Sequence, residues 1–307
     1  MKNKIAQKKL HDHLFVLSFL IYPIILFGVF YVYVNFNSIA LAFREYDFKG
    51  NYEWVEFDNF KLFIENIKGG SAFWATGFVN SFRMYFISLV ICIPLYIFFS
   101  YILFKECLLH KPLRALVMVP QIVSGFIICM VFKKFVEGAI PEIAANVFGK
   151  EGFPNLLQSP DHAFGITLFY QIWISFATNL IVYPNAMKGI DDGILEAGKI
   201  DGVGNMFQEL WYLIIPLIFP TISTFLITGL AGLFTNAGSL PTFYMYTAPT
   251  NSVSIGYLYW RDVANSSSYA GYPMLAAGGL LMTFFVAPAT LFVRWALEKF
   301  GPTTEGY

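Results

Sequence analysis

Along this chain, apolar residues gather in long runs separated by short polar segments. The strict alternation of half-buried strands is absent. Six runs reach the ~20 residues that a membrane-spanning helix needs. They are Leu14–Val34, with possible extension to Phe43, then Thr76–Phe104, Leu113–Phe135, Ala163–Met187, Tyr212–Phe234 and Tyr272–Leu297. The pattern predicts an all-α integral membrane protein of about six transmembrane helices. Between the runs, residues 44–75 are polar with a short amphipathic helix near Phe57–Ile67, and 105–112 form a basic link. Residues 136–162 read as a loop broken by Gly and Pro, 188–211 as a polar helical segment, and 241–271 as a loop rich in Ser, Thr, Asn and Tyr.

Composition agrees with this pattern. Of 307 residues, 57% are hydrophobic and only 13% charged, about half the charge of a soluble domain. A soluble core must still present a polar surface to water, which this chain lacks the residues to build. The net charge of zero, with no basic run interleaved with aromatics, argues against nucleic acid as a partner. The segment Lys2–His13 is basic and precedes an apolar run. That run is too long for a secretory leader and has no small-residue cleavage site, so it reads as a retained first helix. Cys92, Cys107 and Cys129 stand far apart with no metal or redox spacing, and read as packing residues. No metal site is expected.

Lys and Arg counts orient the chain. With the N-terminus inside, Lys2, Lys4, Lys8, Lys9, Lys105, Lys111, Arg114, Lys188, Lys199, Arg294 and Lys299 fall on the cytoplasmic side. Arg44, Lys49, Lys61, Lys68, Lys133, Lys134, Lys150 and Arg261 fall outside, spread over longer segments. Both termini and the 105–112 and 188–211 segments are therefore expected to be cytoplasmic. The chain reads as one transmembrane domain, 1–307. Within it, 1–75 hold the first helix and outer loop, 76–297 a core of five helices, and 298–307 a cytoplasmic tail.

The segment Met187–Pro220 carries the most specific signal. Asp191-Asp192 open an acidic turn, Glu196-Ala197-Gly198 form a small-residue patch, and Gly202 and Gly204 interrupt helix propensity before the chain re-enters the membrane. Small residues let another surface approach closely, and glycine permits a bend that a Cβ would obstruct. This pattern resembles the EAA loop of ABC importer permeases, with Glu196, Ala197 and Gly202 matching, along with Ile200-Asp201-Gly202 and the lead-in Met187-Lys188-Gly189-Ile190. Gly198 replaces the second Ala of that pattern, and the distance from Gly202 to Pro216 is one residue longer. Leu20-Ile21-Tyr22-Pro23, Phe57-Asp58-Asn59-Phe60, Asn80-Ser81 and Val119-Pro120-Gln121 extend the resemblance over most of the chain, towards the carbohydrate (maltose-type) subfamily.

The resemblance implies a type I importer (MetI-like) permease bundle in a bacterial cytoplasmic membrane. It implies a cytoplasmic coupling helix that docks on a separate ATPase, with Glu196, Ala197, Gly198, Asp201 and Gly202 as coupling residues. The partners it implies are a second, different permease, two ATP-binding cassette subunits and an extracytoplasmic solute-binding protein, with a sugar or oligosaccharide as cargo. No cofactor is expected on this chain; ATP and Mg would be held by the ATPase subunits. The stretch Gly193–Lys199 also fits GxxxxGK, but Ile200 stands where a phosphate-binding loop needs Ser or Thr, and a membrane helix precedes it where a buried strand should. It does not read as a nucleotide site.

Polar groups in hydrocarbon are costly unless they face protein or water, so their spacing marks the inner face. Gln171, Ser175 and Thr178 share one helical face, flanked by Trp173 and Asn179; Thr228, Gly232 and Thr235 share another beside Asn236; Gln121 and Gly125 lie four apart. These residues read either as the lining of a solute path, where amides, hydroxyls and an aromatic face suit a sugar, or as helix-packing positions. Asn179 is left as a flanking residue, and the rest are the candidate path residues. Arg83, His110 and His162 sit near helix ends and suggest no chemistry. An ion-coupled secondary transporter would call for acids at the centres of helices, where this sequence has none. A membrane-embedded enzyme would need convergent catalytic groups.

Overall fold

The computed structural model describes residues 15–46, 51–68, 72–107, 110–150, 152–265 and 271–302. The basic segment Lys2–His13 and residues 303–307 of the tail lie outside them. Two compact units emerge: Met1–Glu65 with Ser266–Leu281, and Asn66–Asn265 with Met282–Tyr307.

The first unit opens with α1 (Phe15–Leu41), a 27-residue helix whose apolar side chains are exposed along its length. A two-stranded hairpin follows, β1 (Arg44–Tyr46) against β2 (Tyr52–Trp54), with Arg44 opposite Trp54. The Arg44 guanidinium lies 4.8 Å from the Trp54 ring centre. Next comes α2 (Asp58–Lys68), the amphipathic helix expected from the sequence. The Phe57–Phe60 motif has a local reason. The Asn59 carboxamide donates to Ala42 O at 3.0 Å and Arg44 O at 2.9 Å, while the Phe57 and Phe60 rings clasp Phe43 at 5.7 and 5.2 Å.

The second unit contains α3 (Phe73–Phe104), α4 (His110–Ile122), α5 (Gly125–Phe148), α6 (Ala163–Met187) and α7 (Asp192–Ile200). It continues with α8 (Met206–Leu217), α9 (Phe219–Ala231), α10 (Leu240–Tyr244) and α11 (Ile255–Asn265). Helix α12 (Tyr272–Phe300) closes the described chain. Helices α1, α3, α6 and α12 are each long and apolar enough to cross a membrane; the pairs α4–α5 and α8–α9 bring the number to six if each is one span.

Those two pairs are sharply bent. Helices α4 and α5 meet at 101°, and α8 and α9 at 69°. Prolines account for the second bend: Pro216 and Pro220 lack the N–H that a continuous helix needs, and Ile218 between them has φ −93° and ψ 5°. At the first, Pro120 sits in the last turn of α4, and Ser124 is extended at φ −51°, ψ 129°. Prolines also shape the helices elsewhere. The π-helical turns Ser88–Cys92, Phe135–Ala139 and Leu210–Ile214 each end two residues before a proline, Pro94, Pro141 and Pro216. The wider turn moves carbonyls away from the pyrrolidine ring and its missing donor.

Two segments expected to be loops are partly helical. Helix α5 continues to Phe148 and stops at Gly149, whose φ of +65° is left-handed. Residues 241–271 contain most of α10 and all of α11.

Candidate functional site

A cavity of about 510 Å³ opens among α3, α6, α9 and the turn that follows α9. Helix α3 presents Ser81, Met84, Tyr85, Ser88, Cys92 and Tyr96 to it, and α6 presents Leu168, Gln171, Ile172, Ile174, Ser175 and Thr178. Each set recurs at helical spacing, so each is one face of its helix. Gly229, Gly232, Leu233, Asn236, Gly238 and Ser239 complete the wall, with Ser254.

Helix α9 is capped at Gly232, and the chain turns there. Asn236 stabilises this turn by accepting, through Oδ1, the Gly238 N–H at 2.8 Å. Gly238 has φ +55°, a conformation that favours glycine, and a Cβ there would displace the Gln171 carboxamide that packs against it. Across the cavity the Tyr96 hydroxyl and Ser175 Oγ are 2.6 Å apart, and the Asn179 carboxamide donates to Ser175 O at 2.8 Å. The Tyr96–Ser175 contact therefore links the α3 and α6 sides of the cavity.

The Asn80-Ser81 pair anchors another part of the wall. The Asn80 carboxamide donates to Asn251 O at 2.7 Å and Val253 O at 3.0 Å. Ser81 Oγ accepts the Ile255 N–H at 3.1 Å.

Of the path residues expected from sequence, Gln171, Ser175, Thr178, Gly232 and Asn236 line this cavity. Gln121 reaches it indirectly, donating to Thr178 Oγ1 at 2.7 Å. Gly125 begins α5 with open space around it. Thr228 turns its hydroxyl back onto Thr224 O at 2.7 Å. Thr235 is exposed in the turn, outside the lining. Trp173 joins an aromatic cluster with Phe132 at 6.1 Å and Tyr170 at 6.0 Å. It lies two residues after Gln171, about 200° further round the helix, and so packs away from the cavity. Tyr85, Ser88, Tyr96, Ser239 and Ser254 are lining residues that the sequence reading did not single out. On α3 a signal was available: Ser81, Tyr85, Ser88, Cys92 and Tyr96 form a helical stripe once Tyr counts as polar.

The segment 187–220 forms a second feature. Asp191 caps α7 by accepting the Gly193 N–H at 2.6 Å, satisfying one of the orphan donors at a helix start. Leu195 and Gly198 are buried beneath the helix. A Cβ on Gly198 would come within 2.5 Å of Leu213 Cδ1, so the small residue lets α7 lie close on α8. Gly193, Glu196, Ala197 and Ile200 form an exposed i, i+3, i+4, i+7 stripe, and Ile200 is 86% exposed. Asp201 ends the helix, and Gly202 follows at φ +96°, a conformation that glycine adopts readily.

One apolar cluster joins the two features. It contains Cys92, Tyr96, Ile97 and Tyr101 of α3, Tyr183 and Met187 of α6, Leu195 of α7, Leu210 and Ile214 of α8, Ile218 at the bend and Ile222 of α9. Cys92 and Tyr96 also line the cavity, so α7 and the cavity wall share one close-packed body. An ion pair between Lys105 Nζ and Glu209 Oε1 ties the end of α3 to α8.

No family model matches the chain. Among curated proteins it is 26% identical over 286 residues to the multiple sugar-binding transport system permease protein MsmF of Streptococcus mutans, covering 92% of this chain and 94% of that protein. It is 25% identical to the galactooligosaccharides transport system permease protein GanP of Bacillus subtilis, covering 83% of this chain and 63% of that protein. Among solved structures, a bacterial ABC transporter involved in the import of the acidic polysaccharide alginate aligns with TM-score 0.79 at 18% identity, over 96% of this chain and 98% of that one. The same kind of transporter, in complex with an alginate pentasaccharide-bound periplasmic protein, aligns with TM-score 0.75 over 95% and 97%. The fold is that of these transporter chains, and the resemblance drawn from the EAA-like segment is borne out.

Proposed function

From the chain's similarity to permease subunits of sugar ABC importers, we propose that it is such a subunit, forms half of a translocation path for an oligosaccharide and transmits ATP-driven motion through α7. Its partners would be a second, different permease, two ATPase subunits that hold ATP and Mg, and an extracytoplasmic solute-binding protein. The cavity beside α3, α6 and α9 is this chain's share of the path.

The observation that carries this reading is the apolar cluster that contains both Leu195 of α7 and the cavity residues Cys92 and Tyr96. A close-packed interior transmits displacement because its side chains have no free volume to absorb it. A push on the exposed stripe Gly193–Glu196–Ala197–Ile200 would therefore reach the cavity wall. Ile200 supports a protein partner at this stripe, since an apolar side chain so exposed on a polar helix gains by being covered. Each state of such a machine is favoured by a different ligand, ATP on one side and loaded binding protein on the other. Ion-coupled transport has no comparable support, because the cavity lining includes no acid among the described residues.

The test is affinity purification of the tagged chain from its native membrane in mild detergent. Co-purification of an ATPase and a second permease, with the ATPase lost on Glu196→Lys, is the expected result. Recovery of the chain alone, with ATP-independent uptake in proteoliposomes, would refute the proposal.

A further inference from the structure

We infer that the cavity selects an uncharged glycan and excludes those bearing carboxylates; the inference rests on the reading of this cavity as the solute path. The names of the relatives do not decide the point, since they cover galactooligosaccharides and an acidic polysaccharide alike. The lining does bear on it. Its polar groups are neutral amides and hydroxyls, chiefly Gln171, Asn236, Ser88, Thr178, Ser239 and Tyr85, and among the described residues that line it none is charged.

Three cations of the same unit have partners of their own. Lys133 Nζ donates to Phe243 O at 2.6 Å, and Arg114 Nη2 to Asn185 Oδ1 at 3.4 Å. Arg261 pairs with Asp262 at 2.7 Å and lies over the Phe73 ring. Arg83 shares α3 with Ser81 and Met84 but is absent from the lining.

A sugar hydroxyl entering this space exchanges water for an amide or hydroxyl of matching strength. A carboxylate gives up far stronger hydration and finds no opposite charge. Hydrogen bonds from neutral donors offset only part of that loss. Discrimination by this chain's half of the path follows from its wall, apart from any selection by the binding protein.

The experiment therefore omits the binding protein. In the assembled transporter carrying Cys92→Ser, Cys107→Ser and Cys129→Ser, Ser88→Cys places a thiol on the α3 side of the cavity, and Ser239→Cys is a second reporter in the turn after α9. Each is reacted with a neutral and a sulfonate-bearing methanethiosulfonate reagent, with rates normalised to a free thiol in buffer. The neutral reagent should label both sites, and the anionic one about tenfold or more slowly, in line with the cost of a charge in such a site. Adding Thr178→Lys should raise the anionic rate towards the neutral one. Equal normalised rates for the two reagents would overturn the inference. Protection of both sites by a neutral oligosaccharide that the intact system imports supports the underlying path. If that imported sugar protects neither site, the path reading itself fails, whatever the reagents show.

Discussion

Asn80 allows the tether on the cavity wall to be tested quantitatively. Its side chain is 1% exposed and satisfies two carbonyls, those of Asn251 and Val253. Asn80→Ala removes both donors in a place where water enters poorly. Each lost hydrogen bond is worth ~1 kcal/mol net, and a buried carbonyl left unpaired costs ~1–3 kcal/mol. The expected loss is about 2–4 kcal/mol. At ~2–4 °C per kcal/mol for a large domain, the unfolding midpoint should fall by roughly 4–16 °C. Asn80→Asp should do at least as badly, since it places a second acceptor against the two carbonyls. Ser81→Ala, which gives up one bond to the Ile255 N–H, should lose about half as much. The assay is the fraction of monodisperse protein remaining after a temperature series in detergent or nanodiscs. If Asn80→Ala melts within about 1 °C of the parent, the tether argument is refuted. The contacts of Gly77 with Leu258, Ser81 with Ile255 and Arg261 with Phe73 would then be left to hold α11 against α3.

Three further outcomes follow from the geometry. Lys105→Met leaves Glu209, whose side chain is 14% exposed, without its partner; it should destabilise by more than the ~0–1 kcal/mol of a surface pair. The doubly neutral Lys105→Met with Glu209→Gln should recover much of that loss in the same melting assay. Gly202→Ala forces a side chain into φ +96°, a strain of ~1–2 kcal/mol or more, and should lower transport per ATP hydrolysed in reconstituted vesicles. The Tyr244 hydroxyl donates to Leu157 O at 2.9 Å, and burial pushes its pKa up from its ordinary 10.0 to about 12. Its folded value lies above its unfolded one, so its contribution is intact below pH 10 and fades as the pH rises from 10 through about 12. Melting points of the parent and Tyr244→Phe should therefore converge over that window.

The sequence by itself determined how much of the chain crosses the membrane. A backbone in hydrocarbon must satisfy its own hydrogen bonds, so an apolar run of spanning length has few options besides a helix. Four runs became single helices, and Ala163–Met187 kept the boundaries read from the sequence. The sequence also revealed the polar face of α6, because Gln171, Ser175 and Thr178 repeat at the helix's own period. It revealed the helix and glycine turn at 191–202, because capping and left-handed glycine are local chemistry.

Tertiary structure decided what depends on distant neighbours. The stripe on α3 could be assigned to the cavity only once α6 and the turn after α9 stood opposite it. Trp173 went to an aromatic cluster because Phe132 and Tyr170 were there to receive it. The hairpin Arg44–Tyr46 and Tyr52–Trp54 gave little signal, since three-residue strands are too short to show a period. The prolines at 120, 216 and 220 were visible from the start, but not the size of the bends near them. A missing N–H permits a bend, and only the packing around it sets the angle.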